Sequence, residues 1–150
     1  MKGLIAVVLT GVFLGCGGSE LPADYALPAD CLPATLEPIP PTEDDPHAGM
    51  KEIYYCGTPR IELIDDSGVP VLPVPDGTTV IKRATKEDQD YPWLIAHAEK
   101  VNGEWQWTEW TRNFPDEAFA EIPVGEEVCT DCHKKAKSSD WIFTPYTGFE

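Results

Sequence analysis

Basic residues are scarce in this 150-residue chain: 11 lysines and arginines stand against 26 aspartates and glutamates, for a formal charge of −15. Such a surface repels phosphate backbones and anionic headgroups, which argues against nucleic acid as a partner. Long apolar runs are missing too, except for Leu4 to Leu14, which is too short to span a bilayer as a stable helix. Beyond the initiator the only methionine is Met50, and the only histidines are His47, His97 and His133. No second C-x-x-C and no H-x-x-x-H accompanies the one C-x-x-C present, so a four-ligand zinc site lacks half its donors.

That one motif is Cys129-Thr130-Asp131-Cys132-His133, a C-x-x-C-H sequence of the kind that attaches a c-type haem. The spacing suits the chemistry, because two thiols must reach two vinyl groups along one edge of the porphyrin while the next imidazole lies beneath the iron. Cys129 and Cys132 are thus expected as thioether anchors and His133 as the proximal iron ligand. The competing readings are half a zinc site and a thioredoxin-like redox pair. A redox pair belongs after the first strand of a βαβ unit, whereas this one lies near the end of the sequence.

Haem attachment requires export, and the first residues read as an export signal. Met1-Lys2 is a short positive start, the apolar run follows, and Phe13-Leu14-Gly15-Cys16-Gly17-Gly18 resembles a bacterial lipobox. Residues 1–15 are expected to be a lipoprotein signal peptide and Cys16 the lipidated residue, which places the mature protein in the periplasm, anchored to a membrane by its lipid. An ordinary signal peptide is the alternative. Of the five cysteines, Cys31 and Cys56 then remain, and in an oxidising compartment they can pair and tie the tail to the domain.

Residues 16–46 are dense in proline, from Pro22 to Pro46, and read as a semi-rigid tether. The haem domain is expected over 47–150. Ile53-Tyr54-Tyr55, Arg60 to Ile64, Val69 to Val74 and Thr78 to Ala84 are β-prone runs broken by Gly, Pro and Asp. Pro92 to Val101 and Glu104 to Arg112 flank Asn102-Gly103, a pair suited to a type I′ hairpin turn. That register places Trp105 and Trp107 on a face with Ala98 and Ala96, either as plain core or as haem contacts. Trp110 is out of phase, which suggests a bulge or the strand's end. A short helix from Cys129 to Lys137 carries the ligand, and Trp141-Ile142-Phe143 closes over it. The expected fold class is mainly β to α+β, an antiparallel sheet with short helices.

The sixth iron position has three candidates. His97, mid-strand beside Ile95, is the better distal candidate, Met50 is an alternative, and His47 reads as solvated at the end of the tether. Without any of them the iron is open to small ligands.

Three stretches together resemble the cytochrome P-460 family: Asp76 to Lys82, Asn102-Gly103-Glu104-Trp105-Gln106-Trp107, and the C-x-x-C-H motif followed by Ser139 to Thr144. The resemblance implies a mainly β fold, one covalent haem c, an open distal side, and either hydroxylamine oxidation or nitric oxide binding. It also implies a lysine cross-linked to the porphyrin, and Lys82 stands at the matching offset, although an exposed edge-strand lysine is the plainer reading. Hydroxylamine-oxidising members carry a distal carboxylate on the strand entering the hairpin. Here Leu94-Ile95-Ala96-His97-Ala98 has no acid before Glu99, which leaves His97 as the candidate base. The expected partners are a small nitrogen ligand or substrate, a redox protein and the membrane through the lipid, and a homodimer is among the assemblies allowed. Two rivals stay open: a plain electron-transfer cytochrome with six-coordinate iron, and a haem-free lipoprotein.

Overall fold

The computed structural model describes residues 18–43, 45–123 and 125–148. The signal-peptide run and Cys16 lie outside the described residues. Among the described residues no helix is long and apolar enough to cross a membrane.

The fold is one seven-stranded antiparallel sheet with short helices at its C-terminal end, as the alternating pattern predicts. The strands are β1 (Glu20–Leu21), β2 (Leu32–Pro33), β3 (Met50–Cys56), β4 (Thr79–Thr85), β5 (Leu94–Val101), β6 (Glu104–Thr111) and β7 (Phe119–Glu121), in the order β1-β7-β6-β5-β4-β3-β2. After β7 come helix α2 (Glu126–His133) and a 3-10 turn (Lys134–Ser139), and a single helical turn, α1 (Arg60–Leu63), follows β3.

The β5–β6 hairpin sets the register of the rest. Asn102 and Gly103 both take positive φ (53° and 81°), as a type I′ turn requires. Pairing then runs without a break from Val101↔Glu104 to Leu94↔Thr111. Trp110 pairs in register with Ile95, so the bulge expected there does not form. Its odd offset from Trp107 simply sends it to the other face.

Both faces of the sheet are apolar, and each needs a cover. On one, Ile53, Tyr55, Val80, Ala98 and Trp105 are buried with Ile142 and Tyr146, and Trp107 and Trp141 pack against them. On the other, Ile81, Ile95, Trp110 and Phe119 are buried under Leu21, Tyr25 and Leu27. The proline-rich segment supplies that second cover. Leu21 pairs with Phe119, Leu32 with Tyr55, and Cys31 is disulfide-bonded to Cys56. From Gly18 onward the expected tether is therefore part of the domain, because an uncovered face of Ile81, Ile95 and Trp110 would cost far more than ordering a segment that proline has already stiffened.

Two β-prone runs are not strands. Arg60 to Leu63 turns helically after Pro59, with Leu63 buried and Ile61 exposed. Val69 to Val74 forms only the isolated bridge Ile64↔Pro70, since Pro70 and Pro73 lack the N–H that a ladder needs.

The Cys31–Cys56 bridge closes a loop with a sequence separation of 25, and the entropy it removes from the unfolded chain is worth about 3 kcal/mol. The double variant Cys31→Ser/Cys56→Ser should lose roughly that much in urea unfolding; an unchanged midpoint would show that the bridge does not hold the tail in solution.

Candidate functional site

The C-x-x-C-H motif occupies the end of α2, where an i, i+3 spacing turns Cys129 and Cys132 to one side of the helix. Both thiols are free and half-buried. Burial pushes the Cys129 thiol up, and nearby Glu109 adds to this while Lys82 opposes it. His133 follows at the last helical position and leans on the sheet. Its ring centroid is 4.2 Å from Trp107 and 5.1 Å from Phe143.

One nitrogen of His133 is already committed. Nδ1 lies 2.7 Å from the Trp141 carbonyl, which can only accept, so Nδ1 carries the proton and Nε2 keeps its lone pair. That is the tautomer a metal-ligating histidine adopts. Burial pushes the imidazole's pKa down and the Trp141 bond opposes this, the net direction favouring the neutral ring.

A row of polar side chains stands on the same sheet face. Lys82 of β4 pairs with Ala96 of β5, which pairs with Glu109 of β6. Cross-strand partners share a face, and the small Ala96 leaves a gap between the two long side chains. His47 fills it: Nδ1 is 2.6 Å from Lys82 Nζ and Nε2 is 3.0 Å from Glu109 Oε2. Asp45, bonded to both the His47 backbone N–H and Lys51 Nζ, fixes the loop that delivers the ring. Burial pushes Lys82 down to about 8, with Glu109 and Asp45 pulling the other way. Lys82, His47 and Glu109 also act electrostatically on His133, and Lys82 and Glu109 on Cys129. The polar row and the C-x-x-C-H motif thus face one shared space.

The sheet separates two other candidates from that space. His97 lies on the opposite face, hydrogen bonded to the Tyr25 hydroxyl at 3.0 Å and edge-on to Trp110 with centroids 4.8 Å apart. There it lines an open cleft of about 470 Å³ with Ile81 and Trp110. Met50 falls on that same opposite side by alternation from buried Lys51. Neither residue shares the sheet face against which His133 packs, which counts against the expectation of a distal His97 or Met50. On the His133 face stand His47, which the sequence reads as solvated but which is bonded to Lys82 and Glu109, and Glu109, which the sequence reading passed over. Glu109 was findable, because the hairpin register sets it opposite Ala96 on the expected strand. His47 gave no such signal, since its position depends on a loop.

These donors suit a c-type haem. Two free thiols and an imidazole with the metal-binding nitrogen unprotonated stand on α2, and Trp107, against which that imidazole packs, has a buried Nε1–H with no partner among the described residues. Among the described residues no group of three or more His, Cys, Asp or Glu side chains is arranged to hold a bare metal ion. No protein-family model, curated protein or solved structure matches the chain.

The burial of His97 has its own consequence. Its pKa is pushed down to about 4 from 6.5, so between those values the unfolded chain takes up a proton that the folded chain refuses. Stability is therefore complete above about pH 6.5 and falls as pH drops toward 4, by about 2–3 kcal/mol. Urea unfolding across this window should show that decline in the unaltered protein and a flatter curve in His97→Gln; parallel curves would contradict a half-buried, neutral His97.

Proposed function

We propose that the chain is an exported, lipid-anchored monohaem c-type cytochrome that binds or oxidises a small nitrogen species, hydroxylamine or nitric oxide. The observation that carries this reading is the meeting of the C-x-x-C-H helix with the Lys82–His47–Glu109 row on one sheet face. Cys129 and Cys132 would hold the haem by thioethers and His133 Nε2 would ligate it. Bound there, the haem supplies an iron that takes up small ligands and exchanges single electrons.

The protein's own contribution is the handling of protons. In the neutral tautomer that satisfies both neighbours, His47 Nδ1 accepts from Lys82 Nζ while Nε2–H donates to Glu109 Oε2. A proton entering at Nδ1 can thus leave at Nε2 without the ring turning. The lysine's lowered pKa lets it give up that proton near neutral pH, and His47 is the neighbour placed to take it. Such a relay suits a substrate that loses protons as it is oxidised, as hydroxylamine does. Trp107 and Phe143 flank the imidazole. The resemblance to the cytochrome P-460 family supports the same reading; were Lys82 cross-linked as it implies, the lysine would hold the porphyrin and His47 and Glu109 would remain as the relay.

The rival, a six-coordinate electron carrier, loses support because His97 and Met50 lie across the sheet and both ring nitrogens of His47 are engaged by Lys82 and Glu109. A titration with nitric oxide distinguishes the two on protein made in a host that matures c-type haem. The reduced protein should bind nitric oxide at once, with a Soret shift complete near one equivalent. Lys82→Ala should additionally move a broadened, red-shifted Soret band back to an ordinary c-type position. A reduced iron that ignores nitric oxide would overturn the open-site reading, and a spectrum indifferent to Lys82→Ala would remove Lys82 from it.

A further inference from the structure

Apart from Asn102 of the hairpin, the described residues take positive φ without glycine at two consecutive positions, Asp140 (53°) and Trp141 (70°). A left-handed tryptophan is disfavoured by its own Cβ, so surrounding contacts must hold it there. They do. Lys100, at the end of β5, is 3 % exposed and donates to both carboxylate oxygens of Asp140 at 3.0 and 2.9 Å. Asp140 Oδ2 also accepts from the Val74 N–H at 2.9 Å, and the Trp105 indole donates to the Asp140 carbonyl at 2.7 Å. The Trp141 N–H donates to Ala136 at 2.9 Å. What this turn delivers is the Trp141 carbonyl, 2.7 Å from His133 Nδ1.

We propose that the buried Lys100–Asp140 ion pair is a positioning device for His133: it locks the left-handed turn that aims the Trp141 carbonyl at Nδ1, and so sets how strongly the imidazole donates to the haem iron. The inference rests on the haem reading above. A well-aimed acceptor at Nδ1 raises the basicity of Nε2, and stronger donation favours ferric over ferrous iron. Loosening the turn weakens that bond and moves the equilibrium toward ferrous iron.

Two variants of the haem-loaded full chain separate positioning from plain electrostatics. Lys100→Met removes a positive charge and Asp140→Asn a negative one, so a purely electrostatic effect would move the reduction potential in opposite directions. Positioning predicts the same direction for both. Each should favour ferrous iron by roughly three- to tenfold, tenfold being about 59 mV for one electron, and each should lower the iron–histidine stretching frequency in resonance Raman spectra of the reduced protein. Opposite shifts, or none, overturn the proposal.

The same frequency in the unaltered protein tests the Trp141 bond whether or not either variant folds. A value typical of an imidazole with no acceptor at Nδ1 overturns the proposal outright. A denaturing gel stained for covalent haem keeps the two readings apart. No haem overturns both, whereas haem present with the wrong shifts overturns the positioning role alone.

Discussion

The structure depends on the register of a single hairpin. With Asn102 and Gly103 turning in type I′ geometry, every residue of β5 has a fixed partner on β6, and β4 and β3 extend the rows outward. A slip of one residue would exchange the faces. Lys82 and Glu109 would then leave the side of α2, and His97 would replace them. The row Lys82, Ala96, Glu109 exists because the middle residue is small enough to leave room for His47. Packing energy and site chemistry therefore share one constraint: the alternation that buries Tyr55, Val80 and Ala98 also presents the lysine and the carboxylate to the same space.

An acidic chain has few cations to spend on its interior, yet three lysines are drawn to this face. Lys51 is bonded to Asp45, Lys82 to His47, and Lys100 to Asp140. Each is held by a partner, as a buried charge must be, since removing one member of such a pair strands the other in a poorly solvating interior. Their placement is not uniform in purpose. Lys51 secures the loop carrying His47, and Lys100 secures the turn carrying the Trp141 carbonyl. Lys82 lies between them, with a pKa lowered far enough to release a proton. The face is thus organised from two sides, by a loop that precedes β3 and a turn that follows α2.

Much of this was legible in the sequence because it is periodic or local. The hairpin turn, the facing of Trp105 and Trp107, the shared face of Val80, Lys82 and Ala84, and a short helix through the C-x-x-C-H motif follow from alternation, turn chemistry and motif spacing, although the helix expected over 129–137 runs over Glu126–His133 and gives way to a 3-10 turn. The resemblance of Asp76 to Lys82 and of the C-x-x-C-H region to one family pointed to Lys82 in particular. What stayed hidden depends on contacts distant in sequence. The proline-rich segment reads as a tether until the second apolar face is seen to need Leu21, Tyr25 and Leu27. His47 reads as solvated until Ala96 opens its slot. His97 looked like a distal ligand because composition left so few alternatives, and tracing its face through the register to β6 would have removed it.

Cys129 and Cys132 are proposed as the thioether anchors of one haem. Mass spectrometry of the proteolytic peptide spanning both, from protein made where c-type haem is matured and treated with iodoacetamide under denaturing conditions, tests this most directly. The account predicts one peptide carrying a single haem and no alkylation at either cysteine. A peptide without haem, alkylated at both thiols, would contradict it.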